Sequence, residues 1–200
     1  MLSSIHPLGE RSRNNRWGMT ATAFIVGAVA GGAVTGAVAG LIGLVASSVV
    51  SWSASQALLV LAALAIAAAV GDLALRGRPL PLLHRQVNEE WIARYRGWVY
   101  GIGFGFQLGL GVVTYITTFA VPVMLIAAAL TGSPSSGALI GATFGVFRGL
   151  AILATWSVDD PGSLGSFHAR MARIAVPVRG ASAGAEAMIG AFAALVVGIS

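Results

Sequence analysis

Two hundred residues, 56% of them hydrophobic and only 10% charged, give a mean hydropathy of +0.84, which leaves too little charge to wet the surface of a water-soluble domain. All twelve basic residues are arginines, against seven acids, for a net charge of +5 and an isoelectric point near 11.1; they are divided among short loops instead of gathered on one basic face, so a nucleic-acid partner is not expected. The absence of cysteine excludes disulfides, thiolate metal sites and thiol redox chemistry.

Charge is missing altogether from Trp17 to Gly71 and from Gly97 to Phe147. Each tract is more than twice the roughly 20 apolar residues that carry one helix across a bilayer, so each should cross, turn and return. The sequence therefore predicts an all-α integral membrane protein with about five transmembrane helices, over 19–50, 57–76, 98–130, 136–157 and 181–200. They form a single polytopic domain, 19–200, behind a short segment, 1–18. Arg11, Arg13 and Arg16 precede the first tract, Arg76, Arg78, Arg85, Arg94 and Arg96 lie between the two, and Arg170, Arg173 and Arg179 precede the last span. The breaks at 51–56 and 131–136 carry none. By the positive-inside bias, eleven of the twelve arginines fall on the cytoplasmic side, which puts the N-terminus inside and the C-terminus outside a multi-pass protein of the cell membrane. A secretory signal peptide is the competing reading of the first apolar run, with Ala28-Val29-Ala30 as the cleavage site. The run continues past that site, unlike a cleaved one, which favours an uncleaved helix.

Spans one and three, at about 32 residues each, exceed what an untilted helix needs at 1.5 Å per residue. Tilt, extension beyond the bilayer or a break must absorb the excess, and Pro122 is the expected break in span three because proline removes a backbone donor. Gly32, Gly36 and Gly40 in span one, and Gly101, Gly105 and Gly109 in span three, recur at four-residue spacing. That spacing lines small residues along one face, where helix backbones pack closely. Two further segments are amphipathic: in 81–96, Leu83, Val87, Trp91 and Tyr95 oppose Arg85, Glu89, Glu90 and Arg94, and in 163–175, Leu164, Phe167, Met171 and Ile174 oppose His168, Arg170 and Arg173. Both are expected to lie flat in the inner interface, with docking to a partner protein as the alternative. The layout reads as an internal repeat, with unit one over 19–96, unit two over 98–175 and an added helix at 181–200; Gly32, Val34 and Thr35 match Gly111, Val113 and Thr114.

Arg148 stands out, about nine residues inside the cytoplasmic end of span four and so roughly 14 Å deep. A lone charge there costs several kcal/mol. Asp72, near the end of span two, and Glu186, near the start of span five, are the acids at similar depth. Arg148 can snorkel toward either, as part of an ion or proton pathway or as a structural ion pair. Gln107, Thr114, Tyr115, Thr117 and Thr118 make span three the most polar of the long spans. Threonine in a membrane helix usually bonds its own backbone, but Thr35 and Thr114, one per unit, could line a shared cavity. His84 and His168 lack carboxylates at ligand spacing and give a weak metal signal. No phosphate loop, nucleophile elbow or zinc-protease helix is present. No metal or cofactor is implied, and hydrolytic chemistry has no visible apparatus.

The run Gly103-Phe104-Gly105-Phe106-Gln107-Leu108-Gly109-Leu110-Gly111-Val112-Val113-Thr114, with the two-unit plan, resembles the membrane domain of the cytochrome c biogenesis and thiol-disulfide electron-transporter group, the CcdA/DsbD family. The resemblance covers spans one and three best and implies two related halves, each opening with a glycine-rich broken helix that bears a reactive cysteine. Those cysteines would fall near Thr35 and Thr114, where a hydroxyl cannot form a mixed disulfide, and the flanking prolines are missing too. It therefore implies architecture and excludes thiol relay.

Two functions follow from these readings. The first is a small transporter or permease-like protein of unknown substrate, with a site between the units formed by Arg148, Glu186, Asp72, Gln107, Thr35 and Thr114. The alternative is a non-catalytic membrane subunit or assembly factor of a larger membrane complex. An enzyme acting on lipid or quinone is a distant third. The expected partners are the lipid bilayer and either further copies of the chain or a larger membrane complex.

Overall fold

The computed structural model describes residues 5–75, 90–111 and 119–199, and every element among them is helical. They are α1 (Pro7–Ser12), α2 (Trp17–Ser47), α3 (Ala54–Leu75), α4 (Glu90–Arg94), α5 (Gly97–Leu110), α6 (Ala120–Leu130), α7 (Pro134–Leu150) with a 3-10 extension (Ala151–Thr155), and α8 (Pro161–Ile199). Four stretches are long and apolar enough to cross a membrane: α2, Ala54–Ala74 of α3, Pro134–Thr155 and Val176–Ile199; α6 is a shorter apolar helix. Val26, Ile42, Val45, Val70, Leu139, Phe147, Met188 and Phe192 all lie exposed, a surface that hydrocarbon solvates and water would not.

The centre of the bundle is α2, and its glycines determine why. Gly27 and Gly31 face the Ile102 and Phe106 carbonyls of α5, while Gly32 and Gly36 face Gly141 and Gly137 of α7, and Gly43 faces Ala129 of α6. The seams are reciprocal. Gly101, Gly105 and Gly109 of α5 meet Thr20, Phe24 and Ala28 in rising order, so α2 and α5 run parallel; Gly137, Gly141 and Gly145 of α7 meet Gly36, Gly32 and Ala28 in falling order, so α2 and α7 run antiparallel. A Cβ on Gly101 would lie only 2.7 Å from the Thr20 carbonyl oxygen. Lipid tails are as apolar as leucine, so this close backbone approach, with its dispersion contacts, supplies the association energy. The other lateral pair is α3 with α8, where Gly190 admits Ile66 and the Ala62 carbonyl; Ala65 and Ala68 of α3 also pack with Val123 of α6 and, at their edge, Phe119.

Several expectations need correcting. Span one is one unbroken 31-residue helix, about 46 Å long at 1.5 Å per residue, so tilt or extension absorbs its excess length. Span three does break, but at Gly111, which adopts a φ of +71° just past α5. Pro122 does not break it: proline falls in the first turn of α6, where backbone N–H groups have no intrahelical acceptor to lose. The 163–175 segment is not a separate interfacial helix. It continues into the last span as one 39-residue helix, α8, through Pro177. Of the 81–96 segment, 81–89 lie outside the described residues, and α4 is the helical part that is described.

The internal repeat finds no support in this arrangement. Gly32 lies inside α2 against α7, whereas its expected counterpart Gly111 ends a helix in a left-handed conformation. The second helix of unit one, α3, pairs with α8, and that of unit two, α7, packs into the groove of α2. The shared glycine spacing reflects the same packing requirement met twice on different partners.

Candidate functional site

The break between α5 and α6 organises the polar residues of the membrane region. An α-helix carries partial negative charge at its carbonyl end and partial positive charge at its N–H end, and each exposed end here meets a side chain of complementary character. At the carbonyl end of α5, the Thr35 hydroxyl on α2 donates to the Leu110 carbonyl over 3.3 Å. The Arg148 guanidinium, from the last turn of α7, lies against Gly111: a Cβ built on that glycine would be 3.5 Å from Nη1. It also sits 5.4 Å from the centre of the Phe144 ring, within cation–π range. Glycine at 111 supplies both the positive φ and the space for Val121 and the guanidinium.

At the N–H end of α6, the Phe119 backbone N–H donates to Asp72 Oδ1 over 2.9 Å. Asp72, near the end of α3, is 5% exposed, and its Oδ2 has no hydrogen-bond partner among the described residues. Glu186 on α8, the helix packed against α3, is 3% exposed, and neither of its oxygens has a partner among those residues.

Of the six residues singled out from the sequence, the structure thus brings Thr35 and Arg148 to one end of the break and Asp72 and Glu186 to the other. It does not pair Arg148 with either acid: the ion pair found among the described residues is Arg13 with Glu10. Gln107 is half-buried on α5, one turn before the break. Thr114, with Tyr115, Thr117 and Thr118, lies outside the described residues, as does His84. His168 is exposed on α8, and no group of three or more metal-ligating side chains occurs among the described residues.

A second polar centre escaped the sequence reading. Glu10, fully buried, accepts from Arg13 Nη2 at 2.7 Å and from the Thr20 hydroxyl at 2.8 Å, and the Tyr100 hydroxyl donates to it as well. Asn15 Nδ2 donates to that tyrosine oxygen at 3.3 Å, and Arg13 stands 6.0 Å over the ring. The carboxylate thereby ties α1 to the first turns of α2 and α5. The segment is fastened on its other side by Leu8 N–H to the Val158 carbonyl, 2.9 Å, and by the Thr155 hydroxyl to the Ile5 carbonyl, 3.1 Å. His6 caps α1, its Nδ1 accepting from the Gly9 N–H at 3.1 Å. Burial, and then the charge of Arg13, hold its imidazole pKa below the usual 6.5. The one available signal was that Glu10, one of seven acids, precedes Arg13 by three residues just ahead of a membrane helix.

No family model matches this chain, and no solved structure matches it. It is similar to the methylamine utilization protein MauF of Methylophilus methylotrophus, with 29% identity over 182 residues that cover 90% of this chain and 63% of that protein. It is also similar to the MauF protein of Paracoccus denitrificans, with 34% identity over 122 residues, 61% of this chain and 43% of that one. The chain therefore spans less than two thirds of the length of either relative.

Proposed function

We propose that this chain is a non-catalytic membrane subunit or assembly factor serving a methylamine-utilization system of the MauF kind. The observation that carries this reading is the similarity to MauF along 90% of the chain. The packing supports it as well: the glycine seams draw α2, α5 and α7 together at backbone distance, and the Arg148 guanidinium rests on the α5 terminus and the Phe144 ring. The arginine distribution supports an N-terminus in the cytoplasm and a C-terminus outside. Architectural kinship with the CcdA/DsbD group belongs to the same reading, favoured by the glycine-rich helix that ends at Gly111.

The test is purification of the tagged full chain in mild detergent from cells growing on methylamine. A partner retained in fixed stoichiometry, and loss of growth on methylamine when the chain is deleted, are expected. A partner-free preparation from a strain whose deletion grows normally on methylamine overturns the proposal. Transport is the second reading, favoured by the break itself, since discontinuous helices with opposed termini are a common setting for ion and substrate sites.

A further inference from the structure

We propose that Asp72 and Glu186 form an intramembrane proton site, a carboxyl–carboxylate pair that holds a single proton between α3 and α8. Asp72 on α3 and Glu186 on α8, two helices packed on each other, are both buried, 5% and 3% exposed, and each has carboxylate oxygen without a partner among the described residues. Burying both as anions is opposed by desolvation and by mutual repulsion. One proton removes the repulsion and turns an acceptor-only group into a donor that its neighbour can accept.

The geometry also says how the pair divides its roles. Asp72 Oδ1 receives the Phe119 N–H at the start of α6, an 11-residue helix whose positive end favours an anion. Glu186 receives no donor at either oxygen among the described residues. Asp72 is therefore the carboxylate, and Glu186 carries the proton. The elements packed on the pair are α3, α6 and α8; within their membrane-spanning windows the titratable residues are Asp72, Glu186 and Arg179, the last seven positions before Glu186 near the start of its window, and α6 has none. A metal cation is the competing occupant, but hard cations require six or more oxygen ligands, and no group of three or more metal-ligating side chains occurs among the described residues.

The apolar reagent dicyclohexylcarbodiimide, which reacts with protonated carboxyl groups inside membranes, tests this on the full chain in vesicles. Peptide mass spectrometry should find Glu186 modified at about pH 7, with modification lost in alkaline buffer and unchanged by sodium or potassium chloride. Glu186→Gln should abolish the label while leaving the elution profile in detergent intact. Asp72→Asn removes the carboxylate that retains the proton and should cut labelling of Glu186 about tenfold at the same pH, the effect of one pKa unit. An unmodified Glu186 in the native chain overturns the proposal, as does protection by sodium, which would mean a metal site. Labelling of Glu186 unchanged by Asp72→Asn overturns the sharing of the proton.

Discussion

Removing the Glu10 carboxylate should loosen the join between α1, α2 and α5. Glu10→Ala deletes three side-chain hydrogen bonds at once, from Arg13, Thr20 and Tyr100. Hydrogen bonds to a charged group contribute about 1.5–3 kcal/mol each, a sum of about 4–9 kcal/mol if nothing relaxes. Arg13 is 30% exposed and recovers part of its loss from water, whereas the Thr20 hydroxyl is buried and the Tyr100 hydroxyl keeps Asn15 and Arg13 as neighbours. That discount leaves about 3–5 kcal/mol, the usual cost of breaking a buried pair from one side. Glu10→Gln keeps one acceptor and should cost about half as much. Unfolding in mixed micelles of rising sodium dodecyl sulfate content, followed by tryptophan fluorescence, measures the difference directly; Trp17 packs against the affected cluster. A Glu10→Ala protein within about 0.5 kcal/mol of the parent, the range of an ordinary surface substitution, would refute the assignment of Glu10 as the clasp.

Other outcomes are equally specific. Gly36→Leu drives a side chain into the Gly137 carbonyl region and should prevent α7 from docking, whereas Gly18→Ala has nothing within 4 Å to meet and should be silent; monodispersity on size exclusion separates the two. Thr35→Val removes the long hydrogen bond to the Leu110 carbonyl and should cost about 0.6 kcal/mol, a typical value inside membranes, in the same micelle titration. Because the folded protein holds the His6 pKa below 6.5, the unfolded chain takes up the proton first as pH falls. The stabilisation from neutral His6 is fully present above 6.5 and is lost as pH drops through the lowered folded value. Protonation at Nδ1 also cancels the bond from Gly9. Hydrogen exchange at the Gly9 amide should accelerate over that interval, and a rate that tracks pH as a free amide would contradict it.

The membrane helices were legible because lipid solvation acts on every residue of a span. A charge in hydrocarbon is costly at any position, so the gaps in the charge map delimit α2, α3 and α7 to within a few residues. Four of the five expected spans have helices long and apolar enough to cross, and α5 and the shorter apolar α6 fall within the third. The break at Gly111 was not legible, because tertiary partners settle it: its carbonyl end is met by Thr35 from α2 and Arg148 from α7. Proline drew attention to the wrong residue, since the same ring that disrupts a helix interior is tolerated in a first turn. Arg148 and the two acids were singled out by the cost of charge in hydrocarbon, but depth along a helix says nothing about which face a side chain occupies. The structure consequently sends them to opposite ends of the break. Glu10 was passed over because a polar residue beside an interfacial helix reads as solvated, and its tyrosine partner lies 90 positions away.

The two glycine seams on α2 also bear on how the protein is made. Synthesis delivers α2 first, yet the carbonyls and glycines that close its seams belong to α5 and α7, the latter beginning only at Pro134. Through most of translation the helix stands in lipid with its bare backbone ridges uncovered, stable as a span but lacking the contacts that fix its rotation. The α5 seam can close once Leu110 has been made, but the antiparallel seam waits for α7, and a chain interrupted before that point would contain an α2 with one of its two ridges still bare.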